Sequence, residues 1–213
     1  QKVIEEAPCP VLLESTRQQM TKIAIQAAAA VDYVGAGTIE FLLGNDQSFY
    51  FLEMNTRLQV EHPISEMITG IDLVQAQLRI AAGEPLWFEQ KDIHSSGHAI
   101  ECRIYAESPF DNWRPSPGPL RHYKEPSGPW IRVDSGIVDG GEVSVYYDPM
   151  IAKLIVWGSD RKSAIQRMLS ALKQYEIIGI QSTIPFFIEL LGDDDFLKAD
   201  YNTGYLNAEK MKV

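Results

Sequence analysis

The sequence predicts a mixed α+β protein in two parts: a helix-and-hairpin segment over residues 1–95 and a strand-rich segment over residues 96–213. Three observations predict it. Two helical stretches and one pair of β-branched, aromatic runs fill the first part. From Gly97 onward, short strand-like runs are punctuated by Gly and Pro, the pattern of a small antiparallel sheet or barrel. Two further amphipathic helices close the chain.

The elements follow in order. Residues 1–8 read as a strand entering a turn. Residues 14–33 read as a helix, capped by Ser15 or Thr16, with Met20, Ile23, Ala24, Ala27 and Val31 at helical spacing. Gly37–Leu43 and Phe49–Leu52 read as strands. Gly44-Asn45-Asp46-Gln47-Ser48 between them is good turn chemistry, so the pair predicts a hairpin centred between Asp46 and Gln47. A helix capped by Ser65 runs to Ala82, interrupted at Gly70 and restarted at Asp72. Strands are expected at 98–106, 119–124, 130–134, 142–146 and 151–157. Helices are expected at 160–175 and 183–191, the latter with Pro185 in its first turn.

Composition narrows the function. The 213 residues are 45% hydrophobic and 23% charged, enough for a real core. A formal net charge of −10, with no basic run, argues against nucleic acid as a partner. No apolar stretch is long enough to span a membrane, and no signal-peptide pattern occurs. Cys9 and Cys102 lie far apart and read as two free thiols in a reducing compartment. The chain does not begin with Met and is expected to be a cut through a larger protein.

The most informative stretch is Phe51-Leu52-Glu53-Met54-Asn55-Thr56-Arg57-Leu58-Gln59-Val60-Glu61-His62-Pro63. In an extended chain, Glu53, Asn55, Arg57, Gln59 and Glu61 share one face. The predicted hairpin sets Glu40 opposite Glu53, and two facing carboxylates repel unless a cation joins them. Mg²⁺ suits such a pair: it takes oxygen ligands and completes its shell with water and phosphate. Asn55 adds another oxygen on the same side. Spacing alone also admits an ordinary solvated strand face.

Other candidates are weaker. Glu101, Arg103, Tyr105 and Glu107 share a strand face that reads, on spacing, as mutually paired polar groups of a half-buried strand. Tyr146-Tyr147-Asp148-Pro149 reads equally as a binding loop or as a turn whose Asp148 satisfies backbone donors. Gly35-Ala36-Gly37 lacks both the dinucleotide and the P-loop pattern, and His94 and His98 have no cysteine pair to complete a zinc site. Lys212, between Met211 and Val213, stands too near the end of the chain for a biotin-attachment hairpin.

These blocks, with Gln1–Pro8, Gly37–Phe41, Glu101–Ile104 and Tyr147–Ile151, resemble biotin carboxylase over essentially the whole chain. The resemblance implies the second half of an ATP-grasp domain (1–95) followed by a biotin carboxylase C-terminal domain (96–213). It implies ATP- and bicarbonate-dependent carboxylation of biotin on a carrier protein. Glu40, Glu53 and Asn55 would hold Mg²⁺ or Mn²⁺. Lys2, Arg57, Gln59 and the backbone of Val60 would bind bicarbonate. Glu61 would be the base, with Arg57 beside it, and Arg103 would stabilise the biotin enolate. Leu42 and Thr203 would lie near the adenine, and Asp148 would face biotin. The partners implied are the missing N-terminal half, a biotin carboxyl carrier, a carboxyltransferase and a second copy at the C-terminal domain, where Trp130-Ile131-Arg132 matches. The location implied is cytoplasm, or mitochondrial matrix in a eukaryote. Without the family's glycine-rich lid, the chain is expected to be inactive alone. Two alternatives are a carbamoyl phosphate synthetase-like ligase and a non-catalytic assembly module.

Overall fold

The structure, a computed structural model, describes residues 2–206. It divides into two compact units, Cys9–Ser95 and the remainder, so that residues 2–8 belong with the strand-rich part rather than with the segment that follows them. In chain order the elements are β1 (Ile4–Ala7), α1 (Glu14–Ala29), β2 (Thr38–Leu43), β3 (Phe49–Asn55), α2 (His62–Thr69), α3 (Leu73–Ala81), β4 (His98–Tyr105), β5 (Glu107–Ser108) and β6 (Arg114–Pro115). There follow β7 (Gly118–Pro119), β8 (His122–Lys124), β9 (Ile131–Ser135), β10 (Glu142–Val143), β11 (Met150–Gly158), α4 (Arg161–Gln174), β12 (Glu176–Ile178), α5 (Ile184–Leu190) and α6 (Asp194–Leu197).

In the Cys9–Ser95 unit, α1 stops four residues short of the predicted end, because Asp32 turns to a φ of 49° and Tyr33 N–H donates back to Ala28 O. Neither Ser15 nor Thr16 caps it. Leu13 holds the cap position, and the Glu14 carboxylate in the first turn accepts from Arg17 and Gln18 side chains instead. Likewise α2 starts at His62, not after Ser65, since Pro63 suits a first turn and lacks only an N–H that would be unsatisfied there anyway. Gly70, left-handed at φ 72°, ends α2, and the Asp72 carboxylate caps α3 by accepting Gln75 N–H at 2.7 Å.

The β2–β3 hairpin differs from a simple two-residue turn. Gly44 N–H donates to Ser48 O, Gln47 N–H donates to Gly44 O, and Gln47 takes a φ of 66°. This turn pairs Leu43 with Phe49 and Phe41 with Phe51. A regular ladder continued from there would set Leu52 against Glu40. A bulge between Glu40 and Phe41 in the register leaves Leu52 unopposed, and Glu53 becomes the partner of Glu40. The bulge, not the turn, makes the two acids face each other.

The second unit is built on an antiparallel sheet of order β1-β4-β11-β9. Its inner strand β4 is buried at all eight positions, which corrects the half-buried expectation. Because side chains alternate, Ile100, Cys102 and Ile104 of β4 and Leu154 and Val156 of β11 share one face with Ile165, Met168 and Leu172 of α4. Each such side chain contributes about 1.5–3 kcal/mol by leaving water. The opposite face carries Glu5, Glu101, Arg103, Lys153 and Asp134. The expected strand at 119–124 divides into β7 and β8, which pair separately with β10 and β12. The predicted 142–146 strand shortens to two residues. Asp160 caps α4 through Ser163 N–H at 2.7 Å.

One close approach sets the edge of this sheet. Gly97 has a φ of 69°, and a Cβ there would lie 2.4 Å from Gly158 O and from the Trp157 ring. Neither neighbour is a flexible chain end. Gly97→Ala is expected to destabilise this unit by at least ~2 kcal/mol, read as a lower denaturation midpoint with an unaltered m-value. A midpoint equal to the parent's would contradict the packing.

Candidate functional site

Two groups of side chains stand out, one in each unit. In the Cys9–Ser95 unit, β2 and β3 bring Glu40 opposite Glu53. The Asn55 amide donates to both carboxylates, at 3.1 Å to Glu40 Oε1 and 3.2 Å to Glu53 Oε1. Gln59 Nε2 donates to the same Glu40 oxygen at 2.8 Å. Arg57 donates to Asn55 Oδ1 at 3.1 Å and to Leu58 O at 3.3 Å. Five of the residues singled out in the sequence therefore form one hydrogen-bonded chain.

They do so by a different route from the extended alternation. The strand ends at Asn55, and residues 56–61 turn into α2. His62 N–H closes that turn on Gln59 O at 3.2 Å, and the His62 ring holds the same oxygen through Nδ1 at 2.8 Å. Gln59 is buried, while Glu53 and Arg57 are exposed. Glu61 sits at the N-cap position of α2, and Val60 precedes it.

The arrangement fits a hard divalent cation. One oxygen of each glutamate lies about the same distance from a single amide nitrogen, so both point at one place. Rotation of the Asn55 amide would present its oxygen there as well. Among the described residues no cluster of three or more His, Cys, Asp or Glu encloses a metal. Two carboxylates and an amide leave the rest of a Mg²⁺ shell for water and phosphate oxygens, which is how that ion is usually held.

In the other unit, Arg103 Nη2 lies 2.6 Å from Glu5 Oε1, with both side chains almost buried. Glu5 and Glu101 are direct partners across β1 and β4, and Arg103 and Lys153 across β4 and β11. Lys153 Nζ reaches Asp134 at 3.3 Å, and Arg132 reaches the same carboxylate at 2.7 Å. Burial and the facing Glu5 carboxylate push Glu101 up to about 8. On the α4 side of the same strands, Glu6 accepts from Arg161 at 2.7 Å and meets the His98 ring at 2.7 Å and the Tyr201 hydroxyl. Burial disfavours its charge, but those hydrogen bonds prevail and hold the carboxyl below its ordinary range.

Thr203 and Lys2 line one cavity of about 260 Å³ with Glu5, Glu6, Phe196 and Asn202. Asp148 accepts Met150 N–H at 2.8 Å, as the turn reading requires, beside exposed Tyr146 and Tyr147. Leu42 is half exposed on β2. Cys9 and Cys102 are free thiols, the first exposed and the second buried. No helix among the described residues is long and apolar enough to cross a membrane. Lys212 lies outside the described residues. Sequence reasoning missed the Glu5–Glu101 and Glu6–His98–Arg161 contacts. The acidic doublet in β1 was visible, but its partners lie some ninety residues away or more, and only the register names them.

Comparison with known proteins resolves what this combination is. Residues 101–208 match the biotin carboxylase C-terminal domain, and residues 1–88 match the ATP-binding domain of the carbamoyl-phosphate synthase L chain. The chain belongs to the biotin carboxylase family. It is 48% identical to biotin carboxylase 1 of Bacillus subtilis, over 97% of this chain and 46% of that one. It is 51% identical to the mitochondrial propionyl-CoA carboxylase alpha chain of Homo sapiens, over 97% of this chain and 29% of that one. The crystallised biotin carboxylase domain of Hydrogenobacter thermophilus 2-oxoglutarate carboxylase, in complex with MgADP, ADP and bicarbonate, superposes with a TM-score of 0.94. It is 46% identical, over 97% of this chain and 46% of that chain. This chain thus spans less than half the length of these relatives. The ATP-binding match alone is shared with carbamoyl phosphate synthetases; the C-terminal match and the biotin carboxylase relatives decide between the two.

The bulge makes a separable prediction. Deleting Leu52 regularises the ladder and keeps Glu40 opposite Glu53, so Mn²⁺ affinity should stay within about twofold. An alanine inserted between Leu52 and Glu53 breaks the alignment and should weaken Mn²⁺ binding by about tenfold or more. Titration by electron paramagnetic resonance measures both; equal affinities in the two variants would exclude the paired acids as ligands.

Proposed function

We propose that this chain is the part of a biotin carboxylase that holds the metal ion and handles bicarbonate and biotin. The observation that carries the reading is the Glu40–Glu53 pair with Asn55, Gln59 and Arg57 hydrogen-bonded around it. Glu40, Glu53 and Asn55 hold Mg²⁺ or Mn²⁺. When bound there, the ion offsets negative charge on the phosphates of ATP.

Lys2, Arg57, Gln59 and the Val60 backbone bind bicarbonate. Glu61 accepts its proton, and the resulting oxygen attacks the γ-phosphorus as the bond to ADP breaks, giving carboxyphosphate. Both reactants are anions, so a fixed guanidinium such as Arg57 lowers the barrier where charge accumulates. Carboxyphosphate then releases CO₂ and phosphate. Biotin N1 gives its proton to the released phosphate and bonds to the carbon of CO₂, while Arg103 stabilises the oxyanion that develops on the ureido group. Leu42 and Thr203 contact the adenine, and Asp148 faces biotin.

The relatives' lengths support a further portion of the enzyme that completes the nucleotide cleft. A biotinylated carrier, a carboxyltransferase and a second copy at the C-terminal domain complete the assembly, and the carboxyltransferase selects the final acceptor. The two free thiols suit a reducing compartment, bacterial cytosol or mitochondrial matrix.

The test uses the intact carboxylase. Glu61→Gln should lower bicarbonate-dependent ATP cleavage by ~10²-fold or more. Glu40→Gln with Glu53→Gln should raise the Mg²⁺ concentration needed for half-maximal rate by about tenfold or more. Undiminished bicarbonate-dependent turnover in Glu61→Gln would refute the assignment of the base. The 213-residue chain alone should cleave no ATP in response to bicarbonate.

A further inference from the structure

The Glu5–Glu101 pair is absent from every role assigned above. Two carboxyl groups stand directly opposite each other across β1 and β4. Glu101 is fully buried, and neither of its oxygens has a hydrogen-bond partner among the described residues. Glu5 holds Arg103 at 2.6 Å. The groups facing Glu101 are Glu5 on β1, Arg103 on its own strand, Lys153 on β11 and Asp134 on β9. Lys153 is engaged by Asp134, and Arg132 adds a second cation to that carboxylate.

We propose that Glu101 is a positioning residue for Arg103: it shares a single negative charge with Glu5 across the ladder, so that Glu101 adds no second charge beside Glu5 for the guanidinium to balance. Two ionised acids, buried side by side, repel each other and lose their hydration. With the proton on Glu101, Arg103 is oriented by Glu5 and by the Tyr105 hydroxyl, which accepts from it, and the guanidinium keeps charge for an incoming anion. With the proton gone, a second carboxylate competes for Arg103, draws it toward the sheet and cancels its field.

Burial and the Glu5 charge raise Glu101 to about 8. A carboxyl raised on folding stabilises the fold most at pH below its unfolded range, relative to its ionised form, and this contribution is lost as pH rises through 8. The same ionisation switches Arg103. The inference rests on the proposed role of Arg103 for its effect on rate, but not for its effect on the guanidinium itself.

Two measurements test it. In the 213-residue chain, the Arg103 Nε resonance should move with an apparent pKa near that of Glu101 between about pH 6 and 9.5, and Glu101→Gln, which mimics the protonated acid, should abolish that movement. A resonance that is flat in the parent, or that titrates identically in Glu101→Gln, overturns the proposal. In the intact carboxylase, biotin-dependent ATP cleavage should fall about tenfold from pH 7 to pH 9 in the parent, and the ratio should flatten in Glu101→Gln. Equal ratios in both proteins would also overturn it. If the intact enzyme shows no biotin dependence at all, the reading of the site falls, and the Arg103 resonance still decides whether Glu101 positions it.

Discussion

The structure depends on putting like charges opposite each other and then controlling what separates them. Across antiparallel strands, facing glutamates are unfavourable unless a cation or a proton intervenes. The fold does this twice. At Glu40 and Glu53 the pair stays open to solvent on one side and is bridged by the Asn55 amide, a neutral donor that a divalent ion can displace. At Glu5 and Glu101 the pair is sealed in a sheet, where Arg103 takes one acid and burial neutralises the other. The first arrangement suits metal chemistry, and the second leaves a tuned guanidinium.

Exposure decides which outcome applies. A half-solvated pair near a turn loses little hydration and can accept water and phosphate oxygens into the same shell. A pair in a strand buried at every position has no such recourse, so it must give up a charge or capture one. The neighbouring Glu6 illustrates the other solution on the opposite face: with Arg161, His98 and Tyr201 all directed at it, the acid stays ionised despite burial. Glutamates on adjoining strands thus settle differently, Glu6 ionised and Glu101 protonated, because their donors differ.

Much of this was legible in the sequence. Local patterns placed the hairpin, the amphipathic α4 and the Asp72 restart. The Glu40–Glu53 pairing was also foreseen, although from a turn that does not form; the Leu52 bulge restored the register that the turn displaced. What stayed hidden was set by tertiary partners. The alternation from Glu53 to Glu61 suggested one long strand, but Pro63 favoured a helix start and the chain turned at residue 56. The polar side of β4 looked half-solvated because nothing local reveals that β1, from the far side of a long intervening stretch of sequence, will cover its edge.

That interleaving has a consequence for how the protein is assembled and altered. Ala7 and Ala99 are ladder partners, so the whole of Cys9–Ser95 is a loop whose two ends are pinned side by side by one edge strand. Closing so long a loop costs roughly 4 kcal/mol of chain entropy, yet that penalty grows only logarithmically with length. Insertions into this excursion, even large ones, change the closure cost by little. The excursion can therefore diversify in size while the sheet that presents Arg103 keeps its register.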